Sequence, residues 1–177
     1  MKGKKIKSSF NTKCLINNTK DLISLWKLPN YPVTEQFGKY ERNFPKFNQE
    51  LMISKSSGHV QLKKIVDQDF LYSPKNYKYR TTVNHSTKKA LDEFIHFCKK
   101  INKNKSNKSI LDVGGNDNLI INKLAVKQSK KYVIDPVAKK QRDEVIVINK
   151  FLDKVNLNKD ILAPDLVLCR HTLEHIP

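Results

Sequence analysis

The feature that most constrains this chain is a short apolar run that ends in two glycines. Residues 110–117 read Ile-Leu-Asp-Val-Gly-Gly-Asn-Asp. A brief apolar run bounded by a turn signal predicts a buried strand. Glycine at the bend lets the backbone approach a ligand closely, because it carries no Cβ. The pattern then repeats. A helix is predicted over residues 119–126, and strand-like runs follow at 132–134, 144–148 and 165–169. Such a succession predicts an α/β fold with a parallel sheet and crossover connections.

The first half of the chain has a different texture. Residues 1–13 read as a polar, Lys-rich, disordered tail. Residues 14–84 read as a small irregular β-rich module that closes on a Tyr-rich segment with Tyr72, Tyr77 and Tyr79. Within it, residues 22–26 are apolar, and Pro29, Pro32, Pro45 and Pro74 punctuate the rest. Residues 50–54 and 59–62 predict two strands joined by the Ser-Ser-Gly turn at 56–58. Residues 85–107 predict a connecting helix and linker. The helix covers 86–101, with Leu91, Phe94, Ile95, Phe97, Cys98 and Ile101 at helical spacing and Ser86 or Thr87 as cap. Residues 108–177 form the second domain.

Charge enters the argument at this point. The formal net charge is +17, from 34 basic and 17 acidic residues, and only four of the basic residues are arginine. Base-edge and phosphate recognition favour the bidentate arginine fork. The lysines are scattered through the sequence and not interleaved with aromatics on one stripe. Nucleic acid is therefore a possible partner but not a favoured one, although salt-sensitive association with polyanions is expected. Cys14, Cys98 and Cys169 are widely spaced and imply no disulfide framework, which points to a reducing cytoplasm. No apolar run approaches the ~20 residues of a membrane span, so no membrane partner is expected.

The chemistry concentrates at the ends of the strands. Residues 114–119 read Gly-Gly-Asn-Asp-Asn-Leu, not the GxGxxG of a dinucleotide fold. Asp112 and Asp117 would repel a phosphate, and an acidic loop suits a cationic or zwitterionic ligand. S-adenosylmethionine, with its sulfonium and amino groups, meets that need. The candidate cofactor-binding residues are Asp112, Gly114, Gly115, Asn116 and Asp117. Asp135 ends the second strand, 23 residues beyond Asp112, where a carboxylate can accept ribose hydroxyls; the alternative is a turn starter before Pro136. The fourth strand runs into Arg170, His171, Glu174 and His175. Arg170 is counted with the cofactor residues. His175 is either a general base or a packing residue at the strand–helix joint.

Residues 110–117, 132–136 and 164–177, which close on Leu-Glu-His-Ile-Pro, together resemble the ordered motifs of class I S-adenosylmethionine-dependent methyltransferases. The Asn-Asp variant of the glycine loop is more specifically similar to the sugar C-methyltransferases, which act on nucleotide-linked deoxysugars. Residues 25–37, 51–62 and 77–82 resemble that family's N-terminal segments. The resemblance implies a partial Rossmann-like parallel sheet and C-methylation of a nucleotide-linked keto-deoxysugar. It also implies that Tyr77 or Tyr79 borders the sugar site. Two departures stand out. Of the family's zinc ligands only Cys14 fits; the others fall at Asn17, Ser54 and Ser57, which makes a structural zinc unlikely. The family's sheet also has about three strands more than the four read here, so the chain is expected to be truncated. The rival readings are a class I methyltransferase acting on another small molecule or RNA, and a non-catalytic basic binding protein.

Overall fold

The computed structural model describes residues 6–32, 45–73, 76–77, 79–80, 85–103, 107–139 and 144–176. The chain divides into two compact units, residues 1–78 and residues 79–177.

The N-terminal unit is built from antiparallel strands. Strand β1 (Ser8–Phe10) pairs with β5 (Lys64–Val66), while β2 (Leu22–Pro32), β3 (Lys46–Ser54) and β4 (Val60–Leu62) form a three-stranded sheet in that order. A short helix, α1 (Gln68–Leu71), follows, capped by the Asp67 side chain. Two elements differ from the sequence reading. Ser8–Phe10 lies inside the segment read as a tail, yet it adds a strand beside β5. The 11-residue β2 runs straight through Pro29 and ends on Pro32. Proline removes a ladder donor and is confined to edge strands and irregularities. Here β2 is the edge of its sheet, and its register shifts between Leu28 and Tyr31, around Pro29.

The C-terminal unit carries a four-stranded parallel sheet ordered β8-β7-β6-β9. Its strands are β6 (Ser109–Val113), β7 (Lys130–Ile134), β8 (Val145–Ile148) and β9 (Leu166–Cys169). The chain steps outward through three strands, then returns to the far side of β6 for the fourth. Every residue of β6 is buried, as a strand covered on both faces must be. On one face Ile110, Val133 and Leu168 pack with Leu91 and Ile95 of α2 (His85–Ile101) and Ile120 and Ile121 of α3 (Leu119–Leu124). On the other, Leu111, Val113, Tyr132 and Ile134 pack with Ile161, which follows the short helix α4 (Leu157–Asp160). Helix α2, read as a connector, thus supplies part of the core of this unit. Asp92 of α2 also pairs with Lys123 of α3. Among the described residues no helix is long and apolar enough to cross a membrane.

Candidate functional site

The strand order β8-β7-β6-β9 puts a topological switch point between β6 and β9. In open α/β sheets, ligands bind beyond the carboxyl ends of the strands at such a switch point. Two loops meet there, residues 114–118 after β6 and residues 170–175 after β9. Gly114 has φ +75°, and a Cβ on it would fall 2.0 Å from Thr172 Oγ1. A Cβ on Gly115 would fall 2.9 Å from Val133 Cγ1 and 3.0 Å from Asp112 Oδ2. The two glycines therefore serve close loop packing. Gly114 lets the second loop close over the first, and Gly115 lies over the Asp112 carboxylate.

Asp112 alternates with Leu111 and Val113, so its side chain lies on the same face of the sheet as Ile110. That face is covered by α2 and α3, and Asp112 is 2% exposed. Its Oδ2 has no hydrogen-bond partner among the described residues. Burial raises its pKa to about 7, with added repulsion from Asp135 and Asp117 and an opposing contribution from Arg170. Arg170 also stacks its guanidinium over the Phe94 ring of α2, 5.8 Å from the centroid.

Asp135 is buried at the tip of β7 and holds the loop in place. Its Oδ2 accepts from the Asn116 backbone N–H at 3.0 Å, and its Oδ1 accepts from the Val137 N–H at 2.7 Å. Burial pushes its pKa up, against the stabilising N–H donors of Val137, Asn116 and Ala138. The carboxylate expected to bind ribose is, in this structure, a clamp on the glycine loop. Asn116 and Asn118 have φ 47° and 60°. Asparagine enters this left-handed region more readily than most residues. Their Nδ2 groups donate to the carbonyls of Tyr79 and Lys139, both at 3.3 Å, while both Oδ1 atoms are buried and unpartnered among the described residues. Asp117 is buried beside them.

Among the described residues, three buried acceptors without donors therefore lie at the end of β6: Asp112 Oδ2, Asn116 Oδ1 and Asn118 Oδ1. Unmet buried acceptors cost roughly 1–3 kcal/mol each. A ligand offering N–H or O–H donors and positive charge would satisfy them, and a phosphate would not.

The remaining candidates are less concentrated. Tyr79 reaches the loop through its backbone carbonyl, and the residue is 40% exposed. Tyr77 belongs to the N-terminal unit, where its ring packs on Tyr72 with centroids 5.2 Å apart. His175 lies on a one-turn 3₁₀ segment after β9, half-exposed, with Nε2 4.0 Å from Glu174 Oε1. Pro177, Thr81, Thr82 and residues 33–37 lie outside the described residues. Two contributors were not among the sequence candidates, Asn118 and Thr172. Only the Asn-Asp-Asn run after the glycines carried a signal for Asn118, through the left-handed preference of asparagine.

In the N-terminal unit, the four positions that align with the family's zinc ligands, where no zinc was expected, do converge. Cys14 Sγ lies 3.4 Å from Ser57 Oγ, Asn17 Nδ2 donates to Ser56 Oγ, and Ser57 N–H donates to Ser54 Oγ. Asp21 organises them: it accepts from Ser54 Oγ at 3.0 Å and from the Ser56 N–H at 2.6 Å. Hydroxyl and backbone hydrogen bonds to Asp21 hold its carboxyl far below the usual range. The Ser57 hydrogen bond is the main cause that brings Cys14 down to about 7. Among the described residues no group of three His, Cys, Asp or Glu is arranged to hold a metal ion. Comparison of the chain with family models and with curated proteins finds no match.

Proposed function

We propose that the C-terminal unit is the S-adenosylmethionine-binding part of a Rossmann-like class I methyltransferase. The acceptor is a nucleotide-linked keto-deoxysugar, methylated on carbon. One observation carries the reading: the three unmet buried acceptors beside the β6/β9 switch point. An anion-binding loop would present donors there. When bound, S-adenosylmethionine supplies an electrophilic methyl group.

The protein's own residues have separable tasks. Asp112 and the Asn116 and Asn118 carbonyl oxygens receive the ligand's donors. Asp135 fixes the loop through two backbone N–H groups and has lone pairs left for hydroxyl donors. Gly114 and Thr172 lock the two loops together. C-methylation also requires removal of a proton beside the sugar keto group, and His175, with Glu174 nearby, is the candidate base. Holding the resulting enolate in line with the methyl group supplies much of the rate.

The test is calorimetry with S-adenosylhomocysteine on the full chain. The expected result is saturable binding that Asp135→Ala weakens at least tenfold. Absence of binding by the folded chain, or unchanged affinity in the variant, refutes the proposal. Methyl-transfer assays with a keto-deoxysugar nucleotide and with RNA then separate the acceptors.

A further inference from the structure

The N-terminal unit holds a second feature, independent of the methyltransferase reading. A groove of about 350 Å³ has Phe10, Lys27, Glu50, Lys63 and Lys64 in its lining. Four strands and the turn between β4 and β5 supply these residues, so a scattered set of lysines becomes a single surface. Ligand clefts start near this size.

The charge is one-sided. Three lysines face one carboxylate, and Glu50 is already held by Lys63 at 2.6 Å. Lys27, opposite Glu50 in the β2–β3 register, helps lower the Glu50 pKa, after the Lys63 and Ser24 hydrogen bonds. The groove therefore keeps a net positive charge. Its aromatic component is Phe10, placed there by β1, a residue 59% exposed. The Lys64 ammonium lies 5.6 Å from the Phe10 ring and 5.6 Å from the Phe47 ring. An exposed aromatic face beside several ammonium groups is the combination that binds a base by stacking and its phosphates by charge. Lysine contacts phosphate as a point charge and carries no base-reading geometry.

We propose that this groove binds single-stranded nucleic acid without sequence preference, with one base on Phe10 and the neighbouring phosphates on Lys27 and Lys64. The pairing of β1, read as part of a tail, with β5 is what places Phe10 beside Lys64.

The test uses the full chain and a fluorescently labelled 12-mer of uridylate, followed by anisotropy over a salt series. Wild type should bind with a log–log salt slope of about −1.4, as expected for two phosphates on a single strand. Phe10→Leu should lose about tenfold in affinity and Phe10→Trp should retain it, because stacking needs the ring and not only its bulk. Lys27→Gln should make the slope shallower by about 0.7. Phe10 is exposed, and circular dichroism checks that each variant is folded. Three results overturn the proposal: no binding at low salt, equal affinity in Phe10→Leu and wild type, or binding of the matching duplex as tightly as the single strand.

Discussion

Asp112→Asn should stabilise the protein at pH 8 and not at pH 5. The carboxyl is buried with its Oδ2 unpartnered, and its pKa rises from 3.8 to about 7. The folded chain thus keeps a proton that the unfolded chain releases, so stability falls as pH climbs from about 4 to about 7. At 1.36 kcal/mol per pH unit, the ionised group costs about 4 kcal/mol at pH 8. Asparagine removes the charge and keeps the shape, but it buries an amide whose unmet donors cost ~1–3 kcal/mol. The net gain at pH 8 is therefore ~1–3 kcal/mol, or a rise of roughly 5–20 °C in melting temperature for a unit of this size. At pH 5 the wild-type group is already protonated, and the variant should be no more stable than wild type. Thermal unfolding followed by circular dichroism at the two pH values measures this directly. A variant that is destabilised at pH 8, or a difference that does not change with pH, would refute the account of Asp112.

Three further outcomes follow from the same geometry. Gly114→Ala should destabilise by at least ~2 kcal/mol, because it combines a left-handed backbone with a Cβ 2.0 Å from Thr172 Oγ1. Adding Thr172→Gly should recover part of that loss in urea melts, since it removes the clash and leaves the backbone strain. Asp21→Ala should lower the melting temperature of the N-terminal unit. Because the Asp21 carboxyl is held low in the folded state, its contribution is present above about pH 4 and fades as pH falls, so the difference between variant and wild type should shrink on acidification. Loss of the Asp135 clamp in Asp135→Ala frees two backbone donors. It should speed amide hydrogen exchange at Asn116 and Val137 more than at Ile110.

Much of the parallel sheet was legible because its strands are nearly continuous apolar runs, the mark of burial on both faces. Residues 110–113 and 165–169 of the reading correspond to Ser109–Val113 and Leu166–Cys169, and the helix read over 86–101 is His85–Ile101. The hairpin at 50–62 was legible from its turn, although β3 starts earlier, at Lys46. What the sequence hid was pairing. Ser8–Phe10 has no alternation of its own and becomes a strand only through β5. β2 is exposed along much of its length, so neither burial period nor proline content announces it. At the site, the acidic glycine loop and Asp135 were visible as residue types at strand ends. The clamp role of Asp135 was not visible, because it depends on where two backbone N–H groups fall once the loop is folded. The convergence of Cys14, Asn17, Ser54 and Ser57 was visible only through resemblance, and the role of Asp21 among them was not visible at all.

The most direct test of the central claim is to map S-adenosylhomocysteine onto the chain by ¹H–¹⁵N NMR titration. The account predicts saturable shifts centred on the amides of Gly114, Gly115, Asn116, Asp117 and Thr172, lost in Asp112→Ala. A spectrum unchanged at millimolar ligand, or shifts confined to residues 6–73, would contradict it.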